Sequence, residues 1–65
     1  MYEFRDDVEL NINKAKAGRE IGVTRSHLTN VLNRKKLCPK VLAFCITKYL
    51  NANAEIQEYF IRKDK

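Results

Sequence analysis

Residues 13–33 have the sequence NKAKAGREIGVTRSHLTNVLN, which predicts two short helices joined by a tight turn. Asn13 can cap the first helix, and Gly22 can take the left-handed backbone conformation at which a helix ends. Thr24 can accept hydrogen bonds from the free amides that begin a second helix, over residues 24–33. Three apolar residues at helical spacing form the buried side of that helix: Leu28, Val31 and Leu32. The stretch therefore predicts a helix-turn-helix.

The exposed side of the second helix is polar but not acidic. No Asp or Glu occurs between Val23 and Ala54. The side chains on this face can hydrogen-bond to base edges and phosphates in the major groove of DNA. They are Arg25, Ser26, His27, Thr29 and Asn30. A merely solvated surface is the simpler interpretation of this composition alone, but the turn and the charge distribution favour DNA binding.

The positive charge of the chain is concentrated around the predicted helix-turn-helix. The net charge of the whole chain is +5. Residues 1–10 have a net charge of −3, residues 11–40 of +7 and residues 41–65 of +1. A basic region confined to one part of a short chain is typical of proteins that bind nucleic acids.

The length of 65 residues predicts one small domain over residues 1–65. Because the apolar residues recur at helical spacing and the chain has only 2 Gly and 1 Pro, the sequence predicts an all-α fold. A core of this size contributes at most roughly 3–5 kcal/mol, so a second subunit would add stability.

The first segment, residues 2–11, allows two interpretations. We favour a short helix, in which acidic residues such as Asp6 and Glu9 would be exposed. The alternation of Tyr2 and Phe4 with polar neighbours is also compatible with a brief strand.

A third main helix is predicted after the basic loop of residues 34–36. Leu37 is expected to be tucked against the core, with Cys38 as the capping residue and Pro39 in the first helical turn. The broad apolar face of this helix, expected to be the most buried in the chain, consists of Val41, Leu42, Ala43, Phe44, Cys45, Ile46, Tyr49 and Leu50.

The remaining residues predict one more helix and a tail. Asn53 can cap a last helix that carries three apolar residues, Ile56, Tyr59 and Phe60. These three are more typical of a core, but they are also the candidates for a dimer interface. Residues 62–65 are expected to be a frayed tail.

The motif IGVTRSHLTNVLN at residues 21–33, followed by a basic loop and a helix that starts at a proline, resembles the lambda-repressor/Cro-like (Xre family) DNA-binding domain. The resemblance covers roughly residues 12–50. It implies a compact bundle of four or five helices that docks on DNA as a dimer. Gly18 departs from the pattern because the family usually has alanine there.

The resemblance also implies roles for individual residues. Arg25, Ser26 and Asn30 match the positions that face bases. Together with the basic loop, the residues expected to contact the DNA backbone are Lys14, Thr24, Asn33, Arg34, Lys35 and Lys36.

Other chemistry is not favoured by the sequence. His27, Cys38 and Cys45 fit no zinc template, and no arrangement of nucleophile and base is visible, so neither metal, cofactor nor enzymatic activity is expected. The two cysteines would lie too far apart on one helix for a disulfide. Reduced thiols, an acidic first segment and short apolar runs predict a cytoplasmic protein without a signal peptide or a membrane-spanning segment.

The sequence thus predicts a sequence-specific transcriptional regulator that binds double-stranded DNA, of the kind that phages and mobile elements use as repressors or Cro-like switches. We expect a homodimer, at least on a palindromic operator, with half-sites about 34 Å apart. Two other hypotheses remain: an antitoxin-like module whose main partner is a protein, and an architectural factor for recombination.

Overall fold

The chain forms three α-helices and a two-stranded antiparallel sheet. The computed structural model describes residues 1–8, 10 and 12–63. In chain order the elements are β1 (Tyr2–Phe4), α1 (Lys14–Ile21), α2 (Arg25–Leu32), α3 (Lys40–Leu50), a 3-10 turn (Ile56–Glu58) and β2 (Phe60–Arg62). The all-α bundle of four to five helices that the sequence predicted is therefore wrong.

The first segment is a strand and not the helix that we favoured. β1 pairs with β2 so that Tyr2 lies opposite Arg62 and Phe4 opposite Phe60. Phe4 and Phe60 are both 2% exposed, and their rings meet edge to face at 5.3 Å between centroids. A cross-strand aromatic pair of this kind stabilises an antiparallel sheet. Glu9, which the predicted helix included, lies outside the described residues.

The helix-turn-helix forms as the sequence predicted. The Asn13 side chain accepts a hydrogen bond from the Lys16 amide at 3.1 Å, and Gly22 ends α1 at φ 100°. The Thr24 hydroxyl accepts from the His27 amide at 3.1 Å, which fixes the start of α2. The predicted stripe on α2 is confirmed, since its three apolar residues, Leu28, Val31 and Leu32, are buried.

The loop before α3 is built differently from the prediction. Pro39 is the capping residue, so the predicted cap at Cys38 is one position too early. Cys38 is instead fully buried and forms a β-bridge with Tyr2, in which each residue's amide donates to the other's carbonyl. Leu37, predicted to be tucked against the core, is 40% exposed. Cys38 therefore takes the buried position that the sequence suggested for its neighbour.

The buried face of α3 is also rotated from the predicted one. Its buried residues are Leu42, Ala43, Ile46 and Thr47. Three residues assigned to the buried face are instead exposed: Val41 by 74%, Phe44 by 49% and Tyr49 by 37%. An almost continuous run of apolar residues does not reveal which side faces the core, because helical periodicity needs polar gaps to define it.

The predicted last helix, with Asn53 as its cap, is absent. Residues 56–58 form a single 3-10 turn that begins after Glu55, and β2 follows. Of the candidates for a dimer interface, Phe60 belongs to the core, while Ile56 and Tyr59 are half-buried against it. At the end of the chain, Arg62 belongs to β2, and residues 64–65 of the predicted tail lie outside the described residues.

We expect Gly18→Ala to destabilise the protein although alanine is the better helix former. A Cβ atom at residue 18 would lie 2.8 Å from the backbone oxygen of Val23, so the turn would have to move. The expected net loss is about 1–3 kcal/mol in the free energy of unfolding, measured by urea denaturation. The control is Arg19→Ala, at an exposed position of the same helix, which should change stability by no more than about 0.5 kcal/mol. An equally stable Gly18→Ala variant would show that the turn can shift without cost.

Candidate nucleic-acid interface

Four of the five residues predicted to face bases line one shallow hollow on the outside of α2. They are Arg25, Ser26, Thr29 and Asn30. Arg25 and Ser26 are exposed, whereas Thr29 and Asn30 are half-buried. The fifth residue, His27, is half-buried and is not part of the hollow. The helical spacing thus brings a guanidinium, two hydroxyls and an amide onto one face, where together they can donate and accept hydrogen bonds.

This face is held in place from behind by packing and at its start by a cap. Leu28 and Val31, on the opposite side of α2, are fully buried. The first turn is closed by the bond between the Thr24 hydroxyl and the His27 amide. The Thr24 hydroxyl therefore caps α2. The contact with a DNA phosphate that the sequence predicted for Thr24 would be a second role of the same residue.

The side-chain amide of Asn30 is available for a ligand. Its backbone carbonyl accepts hydrogen bonds from the amides of Lys35 at 2.9 Å and Lys36 at 3.3 Å. Among the described residues, the side-chain hydrogen bonds within α2 involve Thr24 and not the Asn30 amide. The backbone carbonyl of Asn30 therefore holds the loop after α2, while the side chain of Asn30 lines the hollow.

Besides Thr24, the residues predicted to contact the DNA backbone lie in the loop that follows α2 and at the start of α1. Lys35, Lys36 and Asn33 are exposed in the loop that follows α2. Lys14, at the start of α1, lines a second hollow with Asn33 and Arg34. Asp6 also lines this hollow, and its carboxylate offsets part of the positive charge of Lys14.

Arg34 is committed to contacts within the chain. Its backbone has φ 65°, a left-handed conformation that residues other than glycine rarely adopt. Its Nη2 atom donates to the carbonyl of Arg5 at 2.6 Å and more weakly to that of Val8 at 3.5 Å. The guanidinium carbon lies 5.5 Å from the centroid of the Phe4 ring. In the sequence, Arg34 is the first of three consecutive basic residues. Nothing in this run indicates that its side chain alone points towards the rest of the fold.

The acidic turn beside β1 is internally paired. Asp7 accepts two hydrogen bonds from the Arg5 guanidinium, at 2.8 Å and 3.0 Å. The hydrogen bond from Arg5 holds the pKa of the Asp7 carboxyl below its usual value, and the same bond raises the pKa of Arg5. This pairing neutralises one of the two carboxylates in the turn that follows β1.

The cysteines and the other potential ligands do not form a second site. Both thiols are free, and burial raises the pKa of Cys38 to about 11, so that it stays protonated at neutral pH. Within the residues that the structure describes, no three His, Cys, Asp or Glu side chains come together as metal ligands would. Across the same residues, no helix has both the length and the apolar character needed to cross a bilayer.

Comparison of the chain with protein-family models, with curated proteins and with solved structures gives no match. The resemblance to the lambda-repressor/Cro-like domain therefore rests on the sequence motif of residues 21–33 alone, and the bundle of four or five helices that it implied is not what the described residues form.

We expect Arg34→Asn to destabilise the protein by about 1.5–3 kcal/mol, because hydrogen bonds from a charged group to backbone carbonyls are lost. Asparagine tolerates the left-handed backbone, so the loss measures the side-chain contacts rather than strain at residue 34. The measurement is urea denaturation followed by circular dichroism. Lys35→Ala, at the exposed neighbouring position, is the control and should change stability by no more than about 0.5 kcal/mol. Equal stability of the two variants would contradict a structural role for Arg34.

Proposed function

We propose that this protein is a sequence-specific regulator that binds double-stranded DNA through the major groove with α2. The observation that carries the proposal is the hollow formed by Arg25, Ser26, Thr29 and Asn30 on the outside of a capped helix-turn-helix. These side chains supply the donors and acceptors that distinguish base pairs in that groove. The resemblance to the lambda-repressor/Cro-like domain supports the same function and suggests a repressor or switch protein of a phage or mobile element that acts in the cytoplasm.

The charge around the hollow supports DNA as the ligand. Residues 11–40 have a net charge of +7, and Lys35 and Lys36 follow α2 directly, both exposed. Phosphate contacts by such residues would set the orientation of the protein, and the hollow would then select the sequence.

Selection of bound sequences from random duplex DNA is the experiment that tests this function. We expect enrichment of one short motif in repeated rounds. The matched control is Arg25→Ala/Asn30→Ala, which leaves the core of α2 unchanged and should enrich no motif. Equal enrichment of all sequences by the wild-type protein would show that binding, if any, depends on charge alone.

Asn30→Ala should relax the preference at one base pair and leave non-specific binding nearly unchanged. An asparagine amide pairs with adenine through two hydrogen bonds, which is worth about 1–3 kcal/mol of discrimination. The measurement compares the affinity of wild type and variant for every single-base variant of the selected site. Identical preference profiles would mean that Asn30 does not contact a base.

Lys36→Ala should weaken binding to all DNA alike. Each lost phosphate contact lowers the slope of log K against log salt by about one unit. Lys63→Ala, on an exposed lysine that pairs with Glu3 at 3.4 Å beside the sheet, is the control for a general loss of positive charge. An unchanged slope in Lys36→Ala would place the loop after α2 away from DNA.

Two copies of the chain per site are expected, because one α2 helix makes few base contacts. In that case the selected motif contains two half-sites about one helical turn apart. Sedimentation of the complex at saturation measures the number of chains bound. The paired surface would differ from the one first predicted, since Phe60 is buried in the core of its own chain.

A further inference from the structure

A second exposed surface lies on the outer side of α3, and it shares no residue with the hollow on α2. It is a groove of about 430 Å³ between α3 and the segment from Glu55 to Arg62. Its apolar lining includes Tyr2, Phe44 and Ile56. Phe44 is 49% exposed, so the groove presents an aromatic ring to the solvent.

The rim of this groove is basic. Lys40, Lys48 and Arg62 line it, against a single acidic residue, Glu55. The Lys48 ammonium group lies 5.4 Å from the centroid of the Phe44 ring and donates to the carbonyl of Ala54 at 2.7 Å. These contacts hold one positive charge directly beside the exposed aromatic ring. An apolar floor with cations at its edge is complementary to a segment that is both apolar and acidic.

We propose that this groove binds an acidic amphipathic segment of a partner protein. An apolar side chain of that segment would pack on Phe44, and its carboxylates would lie beside Lys40 and Lys48. This mode corresponds to an amphipathic helix that lays its apolar face into a groove. The proposal does not depend on DNA binding by α2, because the two surfaces have separate residues.

A second copy of this chain fits the groove less well. Two copies that met symmetrically through α3 would place Phe44 against Phe44, and the Lys40 of each copy near the Lys48 of the other. α3 contains no acidic residue that could offset this repulsion. The charge pattern therefore favours a different partner with carboxylates at these positions.

The test is a titration of the isotope-labelled 65-residue protein, followed by two-dimensional amide NMR. The probe is a synthetic peptide of about 14 residues, with Leu and Phe at helical spacing and Asp or Glu at most other positions. The first control peptide has Lys in place of each acidic residue. The second keeps the composition of the probe but scatters its apolar residues.

We expect the acidic amphipathic peptide to shift the amides of Lys40, Phe44 and Ile56 and to leave those of residues 25–30 unchanged. Neither control peptide should do so. Phe44→Ser should weaken binding by about tenfold or more. Tyr49→Ser is its matched control, since Tyr49 is an exposed aromatic residue of the same helix that does not line the groove. Lys40→Glu, at an exposed position, provides a second variant that leaves the core untouched and should also weaken binding.

Three outcomes would overturn the proposal. The first is equal binding of the acidic probe and the peptide with scattered apolar residues, which would show attraction by charge alone. The second is a shift of the groove amides on dilution of the protein without peptide, which would assign the groove to a second copy. The third is a shift of the same amides by duplex DNA of any sequence, which would make the groove part of a DNA-backbone surface.

Discussion

The contact of Phe4 with Phe60 and Arg34 joins three distant parts of the chain. The edge of one aromatic ring meets the face of the other, and the guanidinium of Arg34 lies over the ring of Phe4. Through Phe4, β1 contacts both β2 and the loop that follows α2. Arg34 adds hydrogen bonds to the carbonyls that follow β1, so the loop after α2 is fixed on its inner side. Arg34 thus joins the loop after α2 to β1, while Leu28 and Val31 hold α2 itself in the core.

The division of the basic loop follows from the same contact. The Arg34 guanidinium contacts carbonyls and an aromatic ring of its own chain, whereas Lys35 and Lys36 are exposed. The planar guanidinium of Arg34 can donate to two carbonyls and lie over an aromatic ring at the same time. Arg34 therefore stabilises the fold, although the sequence does not distinguish it from the two lysines that follow. Lys35 and Lys36 remain accessible to an anionic ligand.

The helix-turn-helix could be predicted from the sequence because its signals are local. Asn13, Gly22 and Thr24 act within four residues of their own positions, and the stripe of Leu28 and Val31 lies within one helix. The sheet could not be predicted in the same way. Each strand has three residues, so the alternation of Tyr2 and Phe4 is too short to decide between strand and helix, and the partner of Phe4 is at the other end of the chain.

In the candidate site, too, the features set by local spacing could be predicted, and those set by contacts between distant segments could not. Helical spacing alone placed Ser26 and Asn30 opposite the buried side of α2, with Thr29 beside them, and these three residues line one hollow together with Arg25. The inward position of Arg34 and the exposure of Val41 and Phe44 could not be predicted, because they depend on which elements pack beside them. In α3, eight of the 11 residues are apolar, so the pattern has no clear gap, and only tertiary packing decides which side is covered.

The pairing of β1 with β2 has a consequence for the order of folding. The turn between α1 and α2 closes a loop of a few residues, at a small cost in chain entropy. The sheet must bring together segments from opposite ends of the chain, a closure that costs more and is favourable only once the helices shorten the distance between them. We therefore expect the helices to form first, and Phe4 and Phe60 to join the core when the strands pair.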